Sequence, residues 1–437
     1  MKIKAKLLIV ISFLGVTFGY AQEKRVLSLK EAISLVTNNS NEAALANIKV
    51  STAKLEMETL KNNQYPSLKI SGQFLQLTDA NIDPKIKLGA SGTAVKVNQL
   101  FLGQANVSMP LFNGFKLKKS IWASENLYKA ETANAANTKE KLSLYVVELF
   151  AKLYQSQQTT TLIEDNLKSA QQRTKDFSAM VHNGLMARND LLKAQLQESN
   201  IQLSLDTAKK NVNIINYQLV TILQLPENTQ IDIDIETIKN DIVRNKNIEI
   251  QAKRNDLEAL TYQQKASEAG IKIAKSGYYP ALALVGGYIA FDLKDVMTVT
   301  NAMNVGVGLS YDLASVFKNG KEVKLAQSKS EQTKTAVTIL TNKIKEETHE
   351  AQENYNLSLN QNAVYKQAVE QATENYRIVK DKYDNSLSTT NDLLEADVQQ
   401  LQTKINLALS QADIALKYYQ LQFAEGKLIN SFNTPKN

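Results

Sequence analysis

The chain has 437 residues, with 51 Lys and Arg against 44 Asp and Glu, two His and no Cys. The absence of cysteine excludes disulfides, thiolate metal sites, cysteine nucleophiles and a lipid-anchoring cysteine. With 43% hydrophobic and 22% charged residues, the composition is neither that of a disordered polymer nor that of a polytopic helical membrane protein. Only six residues are proline, and long stretches without proline favour long helices.

The first 21 residues have the pattern of a signal peptide. Three lysines precede an apolar run from Leu7 to Phe18, which is too short to span a bilayer as a helix, and small residues follow at a cleavage site. Without this segment the net charge falls from +7 to +4, because three lysines are lost. We therefore expect an exported protein, and so small a basic excess does not favour nucleic acid as a partner.

The rest of the chain contains an internal duplication. The tetrapeptide that begins at Asn189 recurs at Asn391, and Tyr65-Pro66 recurs as Tyr279-Pro280. Further matches keep the same order, which makes chance an unsatisfactory explanation. The sequence predicts a first repeat at 22–225, a linker with a short strand at 226–239, a second repeat at 240–425 and a C-terminal tail at 426–437.

Each repeat predicts long helices with a seven-residue hydrophobic period. One register of the first repeat, broken only by Ser156, holds Ile121, Tyr128, Ala135, Leu142, Leu149, Ile163, Ala170 and Phe177. Heptads sustained over this length predict coiled-coil packing. The predicted helices span about residues 29–63, 116–181 and 190–223 in the first repeat, and 240–276, 321–383 and 390–424 in the second.

Between the helices, each repeat carries a pair of segments that alternate apolar and polar residues. The segment at 95–111 is long enough for a tilted strand to cross a bilayer, and the predicted β-hairpins span about 67–111 and 281–312. Four strands do not close a membrane barrel, and open edges are not tolerated in hydrocarbon, whereas three chains would supply twelve strands. The alternative is a secreted coiled-coil structural or adhesion protein whose strands cap the helices.

These features resemble the outer-membrane efflux proteins, the TolC-like channel family of Gram-negative bacteria. The resemblance is carried by Tyr65-Pro66-Ser67-Leu68, by the junction at 107–114, by the turn at 182–192 and by their counterparts in the second repeat. It implies a homotrimer in which a twelve-stranded β-barrel in the outer membrane continues as an all-α coiled-coil barrel across the periplasm.

The same resemblance implies a function and its partners. Members of the family are passive exit ducts of tripartite efflux or type I secretion systems. They are opened at their periplasmic tips by a periplasmic adaptor (membrane fusion) protein. An energised inner-membrane pump of the RND or ABC type completes the system. We expect such a chain to contact outer-membrane lipid and to extend into the periplasm.

The resemblance also assigns roles at the two helical tips. Asp190, Asp392 and Glu395 match positions that form acidic rings at the periplasmic aperture, although acids at the start of a helix are also explained by capping. Tyr383 matches a tyrosine of the closed-state latch, but Ser388 stands where that latch has an arginine. The adaptor-docking turns match Gly184, Leu185, Ser386 and Leu387, with Ser386 in place of the usual glycine.

The sequence offers no enzyme chemistry. It has no phosphate loop, dinucleotide fingerprint or nucleophile–base constellation, so neither catalysis nor a cofactor is expected. His349 and Glu353 have a spacing that suits a metal pair on one helix face. Mixed charges on a long helix are usually a solvated face, so we predict no metal site there.

Overall fold

The computed structural model describes residues 24–82, 95–233 and 254–433. The predicted signal peptide, residues 83–94 of the first hairpin loop, and residues 234–253, where the helix at 240–276 was expected to begin, lie outside the described residues. The chain divides into two compact units, and each takes segments from both predicted repeats. Unit 1 comprises residues 1–46, 136–254 and 342–437, and unit 2 comprises residues 47–135 and 255–341.

Helices make up most of the described chain. They are α1 (Leu29–Asn39), α2 (Asn41–Asn62), α3 (Lys116–His182), α4 (Arg188–Ile222), α5 (Asn255–Lys275), α6 (Leu313–Asp384), α7 (Thr390–Ala424) and α8 (Leu428–Asn433). The strands are β1 (Lys24–Leu27), β2 (Ser67–Ile82), β3 (Val95–Asn113), β4 (Gln230–Ile233), β5 (Ala281–Leu293) and β6 (Met297–Ser310). Among the described helices, none has the length and hydropathy needed to cross a membrane.

Two helices differ from the prediction. The expected helix at 29–63 is interrupted at Ser40, whose backbone is extended. The Ser40 hydroxyl accepts the Ala43 N–H at 3.2 Å, so this short polar side chain ends one helix and caps the next. Helix α6 begins at Leu313 rather than near residue 321. The Asp312 carboxylate caps it there by accepting the N–H groups of Ala314 and Ser315 at 3.0 and 3.3 Å.

The heptad register predicted for α3 is its buried face. Of the eight residues in that register, all but Tyr128 are at most 9% exposed. In unit 1, the largest apolar cluster surrounds Phe150 and Tyr419. Helix α8 adds Leu428 and Phe432 to this cluster, and the Phe432 ring stacks on Tyr419 at 5.1 Å. The segment predicted as a C-terminal tail is therefore partly helical and packed into the core.

A short parallel pair of strands borders the same cluster. Strand β4 is the strand expected in the linker, and it pairs with β1 from Lys24–Gln230 to Leu27–Ile233. Leu27 and Ile231 are both buried in the cluster. The sequence did not predict β1, because Lys24-Arg25-Val26-Leu27 does not alternate polar and apolar residues.

A buried carboxyl group lies where α3 meets α8. Glu140 is 7% exposed, and its carboxylate accepts the Ile429 N–H at 3.3 Å. Burial raises the pKa of Glu140 from 4.5 to about 7, and the hydrogen bond from Ile429 opposes that rise only in part. Between these two pH values the folded chain binds a proton that the unfolded chain releases, so stability falls as the pH rises through this window.

We expect Glu140→Gln to be more stable than the wild type at pH 8, by about 3 kcal/mol, because the amide removes a buried charge and keeps an acceptor for Ile429. Below pH 4.5 the two proteins should be equally stable. Thermal loss of helical circular dichroism between pH 4 and 8 tests this, with Glu148→Gln, partly exposed on the same helix, as the control. Parallel pH dependence in wild type and Glu140→Gln would contradict the prediction.

Unit 2 is built on a four-stranded antiparallel sheet in the order β2-β3-β5-β6. The pairing of β3 with β5 joins the two predicted repeats. Strands β2 and β6 form the edges, and within the described chain each of them pairs on one side only.

One face of this sheet carries a band of apolar residues across all four strands. The register places on it Leu68, Ile70 and Phe74 of β2, Phe101 and Val107 of β3, Leu284 of β5, and Met303, Val305, Val307 and Leu309 of β6. Each of these side chains is at least 42% exposed. The opposite face includes the polar residues Lys69, Ser71, Gln73, Gln104, Asn106 and Asn304. The alternation of apolar and polar residues along the strands therefore gives the sheet one exposed apolar face and one mixed, more polar face.

Candidate functional site

The two helical tips of unit 1 have the same backbone conformation. Gly184, between α3 and α4, has φ 70°, and Ser386, between α6 and α7, has φ 62°. The next residues, Leu185 and Leu387, each donate their N–H to the carbonyl five residues earlier, at 2.8 and 2.7 Å. This is the Schellman arrangement of a helix C-terminus. Ser386 thus adopts the left-handed conformation that glycine favours, and its departure from glycine does not change the turn.

Both tips present a leucine to the surface of the chain. The side chains of Leu185 and Leu387 are 78% and 76% exposed, although the residue at this position of a Schellman turn often packs back onto its own helix. The duplication therefore provides two equivalent apolar projections, one at each tip.

Asp392 belongs to a capping box at the start of α7. Its carboxylate accepts the Thr389 N–H at 2.9 Å, the Thr389 hydroxyl at 2.8 Å and the Ser388 hydroxyl at 3.0 Å. The Thr389 oxygen in turn accepts the Asp392 N–H at 3.2 Å. These hydrogen bonds, led by that from the Thr389 backbone, hold the pKa of Asp392 below its usual value, so the carboxylate is charged at neutral pH.

The first tip is electrostatically different. Ala187 occupies the N-cap of α4 and offers no side-chain cap, while Asp190 pairs with Lys193 at 3.4 Å. Lys193 stands where the second repeat has Glu395, and Glu395 is exposed. Asp190 is therefore neutralised by its neighbour, and the acidic charge of the tips is concentrated on Asp392 and Glu395.

Tyr383 lies in an apolar cluster to which all four tip helices contribute. Its ring centroid is 6.0 Å from that of Phe177, and its hydroxyl is 3.5 Å from the Thr390 hydroxyl. The cluster comprises Phe177, Ala194 and Leu393, with Met186, Leu191, Tyr376, Val379 and Tyr383 packed against it. The structure thus brings the two predicted tips together. Ser388, at the position of the latch arginine, binds Asp392 instead.

One buried ion pair near the tips was missed by the sequence analysis. Arg173 of α3 contacts the Asp397 carboxylate of α7 at 3.1 Å, and their side chains are only 10% and 5% exposed. The Asn166 amide donates to the other carboxylate oxygen at 3.3 Å. A usable signal was the scarcity of arginine, six residues in the chain, since guanidinium suits buried ion pairs better than ammonium does.

The pair considered for metal binding lies on one helix. His349 and Glu353 are both exposed on α6. Across residues 24–82, 95–233 and 254–433, no three or more His, Cys, Asp or Glu side chains cluster in a way that could hold a metal ion.

A sheet with an exposed apolar face, joined to long helical hairpins with paired tips, defines the class of TolC-like outer-membrane channels. The model of the outer membrane efflux protein family matches residues 32–223 and 249–427, so the chain belongs to that family. It is accordingly an outer-membrane protein that extends into the periplasm. Membership in this family favours an efflux channel over the secreted coiled-coil alternative.

Known relatives agree with this assignment. The chain is 19% identical over 323 residues to the outer membrane efflux protein BepC of Brucella suis, covering 73% of this chain and 70% of BepC. The CmeC outer membrane channel of Campylobacter jejuni matches with a TM-score of 0.76 at 15% identity, covering 92% of this chain and 86% of CmeC. The outer membrane protein VceC of Vibrio cholerae matches with a TM-score of 0.74 at 15% identity, covering 91% and 96%. These structures share the fold of the chain.

Proposed function

We propose that three copies of the chain assemble into a homotrimer whose twelve strands close a β-barrel in the outer membrane. The sheet carries this proposal. It exposes ten large apolar side chains on one face, as membrane-contacting surfaces do, and its alternation of apolar and polar residues is typical of the strands of a membrane barrel. Its two edge strands need partners in hydrocarbon, because unpaired backbone groups there cost several kcal/mol each.

The helical hairpins would continue this barrel as an all-α coiled-coil barrel. In this proposal the mature protomer begins at residue 22, and each repeat, 22–225 and 240–425, contributes one β-hairpin and one helical hairpin. The linker at 226–239 would join the repeats beside the main core, where β4 pairs with β1.

The trimer would act as the passive exit duct of a tripartite efflux or type I secretion system. An inner-membrane pump of the RND or ABC type would supply the energy, and a periplasmic adaptor would open the duct at its tips. Gly184 and Ser386 set the turns, and the exposed Leu185 and Leu387 offer the adaptor apolar anchors of the kind that dominate interface energetics.

The aperture would be lined by Asp190, Tyr383, Asp392 and Glu395. Because Lys193 pairs with Asp190, the negative potential would come from three copies of Asp392 and Glu395. A ring of carboxylates favours cations and resists close approach of its own members. Capping by Asp392 is compatible with this role, since it keeps the carboxylate charged.

Disulfide cross-linking of the sheet edges tests the assembly. The chain has no native cysteine, so one cysteine replaces Ser71 of β2 and a second replaces, in turn, Asn304, Gly306, Gly308 or Ser310 of β6. These positions share one face of the sheet. We expect at least one pairing to give a covalent trimer under oxidation, since β2 of one protomer would lie beside β6 of the next.

The matched control uses Ile70→Cys with the same β6 cysteines. Position 70 lies on the opposite face of the sheet, so the sulfur of a cysteine there points away from the β6 cysteines. No trimer band is therefore expected. Monomers at every pairing with Ser71→Cys would contradict the proposed barrel.

A further inference from the structure

A cavity of about 460 Å³ lies in unit 2 at the end of the sheet where β3 leads into α3 and α5 leads into β5. This volume is within the usual range of ligand sites. The polar side chains that line it come from both repeats: Asn113 and Lys116 from the first, Asn319 and Glu322 from the second. Asn319-Gly320 repeats Asn113-Gly114, and at the same offset Glu322 stands where the first repeat has Lys116.

Small residues bring the backbones together around this cavity. Gly114 has φ 63°, and a Cβ there would lie 2.7 Å from the Ser276 carbonyl oxygen. A Cβ on Gly277 would lie 3.0 Å from the Asn319 side-chain nitrogen. Any larger residue at Gly114 would push the start of α3 away from Ser276, so the cavity depends on this close approach.

Three polar side chains of the cavity, those of Lys116, Asn319 and Glu322, have charged or polar atoms without a partner among the described residues. Asn319 is 3% exposed, yet its Nδ2 has no hydrogen-bond partner among the described residues. A buried donor without a partner costs about as much as a lost hydrogen bond. Within the same described residues, neither Lys116 nor Glu322 forms an ion pair. Asn113 differs, since its Oδ1 accepts the Leu117 N–H at 3.3 Å.

A cation, an anion and a free amide donor around one cavity complement a ligand that carries both charges. A phosphate group would accept from Lys116 and from the Asn319 Nδ2, and an ammonium group would donate to Glu322. We propose that this cavity binds the phosphoethanolamine headgroup of a phospholipid, with one negative and one positive charge. The inference rests on the proposed placement of the sheet in the outer membrane.

The surroundings of the cavity favour a lipid over a soluble ester. The same end of the sheet carries the exposed aromatic residues Tyr65, Phe115, Tyr279, Tyr311 and Phe317. Aromatic girdles at this height mark the headgroup level of a bilayer. Tyr279 itself lines the cavity, so the cavity lies at the level of these aromatic side chains.

Native mass spectrometry of the purified full-length protein in mixed detergent and lipid tests the site. The probes are phosphatidylethanolamine and phosphatidylglycerol at equal concentration. We expect the wild type to retain phosphatidylethanolamine in preference, by roughly tenfold, the effect of one charge-assisted hydrogen bond. Glu322→Gln should abolish this preference, and Lys116→Gln should reduce the retention of both lipids. Lys118→Gln, an exposed lysine one half-turn further along α3, is the matched control and should behave as the wild type.

Three results would overturn the inference. These are equal retention of both lipids by the wild type, a preference unchanged in Glu322→Gln, or displacement of the lipid by an equal concentration of glycerophosphoethanolamine, which would make the ligand a soluble ester. Single-channel recording of the same preparations separates this inference from the proposed function. Channels without a lipid preference would refute the headgroup site alone, whereas a protein that forms no channel would refute the duct.

Discussion

Replacing Asp397 with alanine is expected to destabilise the tip region of unit 1 by about 3–5 kcal/mol, the usual cost of leaving a buried charge without its partner. Arg173 would keep its charge at a site where its side chain is 10% exposed. The Asn166 amide would also lose its acceptor. Because the pair joins α3 to α7, we expect the variant to loosen the tips and to raise the conductance of the closed channel.

Two measurements check this expectation: the thermal midpoint of helical circular dichroism, and single-channel conductance in planar bilayers. The matched control is Glu164→Ala, which breaks the exposed pair with Lys209, 2.8 Å apart with side chains 44% and 51% exposed. That change should cost under about 1 kcal/mol. The double variant Arg173→Met with Asp397→Leu should recover much of this stability, since an apolar pair replaces the buried charges, although the Asn166 amide still lacks its acceptor. A midpoint in Asp397→Ala equal to that of Glu164→Ala would refute the argument.

Removing the acidic charge at the second tip is expected to weaken cation selectivity. Glu395→Gln removes one carboxylate per protomer and leaves the capping box of Asp392 intact. The double change Asp392→Ala with Glu395→Ala removes both. We expect the cation-to-anion permeability ratio to fall by roughly twofold or more in the double variant, because carboxylate rings set the selectivity of cation-favouring pores. The reversal potential under a potassium chloride gradient measures this ratio.

The first tip supplies a control of opposite sign. Lys193→Gln would remove the positive charge that pairs with Asp190, and would so make the proposed aperture more negative. We expect this variant to become more cation-selective than the wild type. A reversal potential that is the same in all these variants would show that these acids do not set ion selectivity, and would leave helix capping as the only role of Asp392.

Much of the architecture follows from the sequence, because its signals are periodic and long. The heptads of α3 identified its buried face, and the alternation near Val107 identified the strands. Single-residue effects were not visible in such patterns. Ser40 interrupts a helix through a single hydrogen bond from the Ala43 N–H to its hydroxyl oxygen. Asp312 moves the start of α6 because its carboxylate accepts two hydrogen bonds from backbone N–H groups. Neither effect changes the hydrophobic period.

The positions of the two tip turns were predictable from the sequence. The resemblance to the family pointed to Gly184 and Ser386, and their shared conformation shows that serine is accommodated in the same turn. The scarcity of arginine could single out Arg173, but not its partner, because Arg173 and Asp397 are 224 residues apart and only the packing of α3 on α7 brings them together. The missing cap at Ala187 and the pairing of Asp190 with Lys193 likewise depend on local geometry.

Planar-bilayer recording of the purified, reconstituted wild type shows whether the chain forms a channel. If three copies enclose a continuous lumen, the protein should insert as discrete, uniform conductance steps with a preference for cations, and the active fraction should migrate as a trimer. A folded protein that fractionates as a soluble monomer and gives no conductance steps in the bilayer would contradict the account.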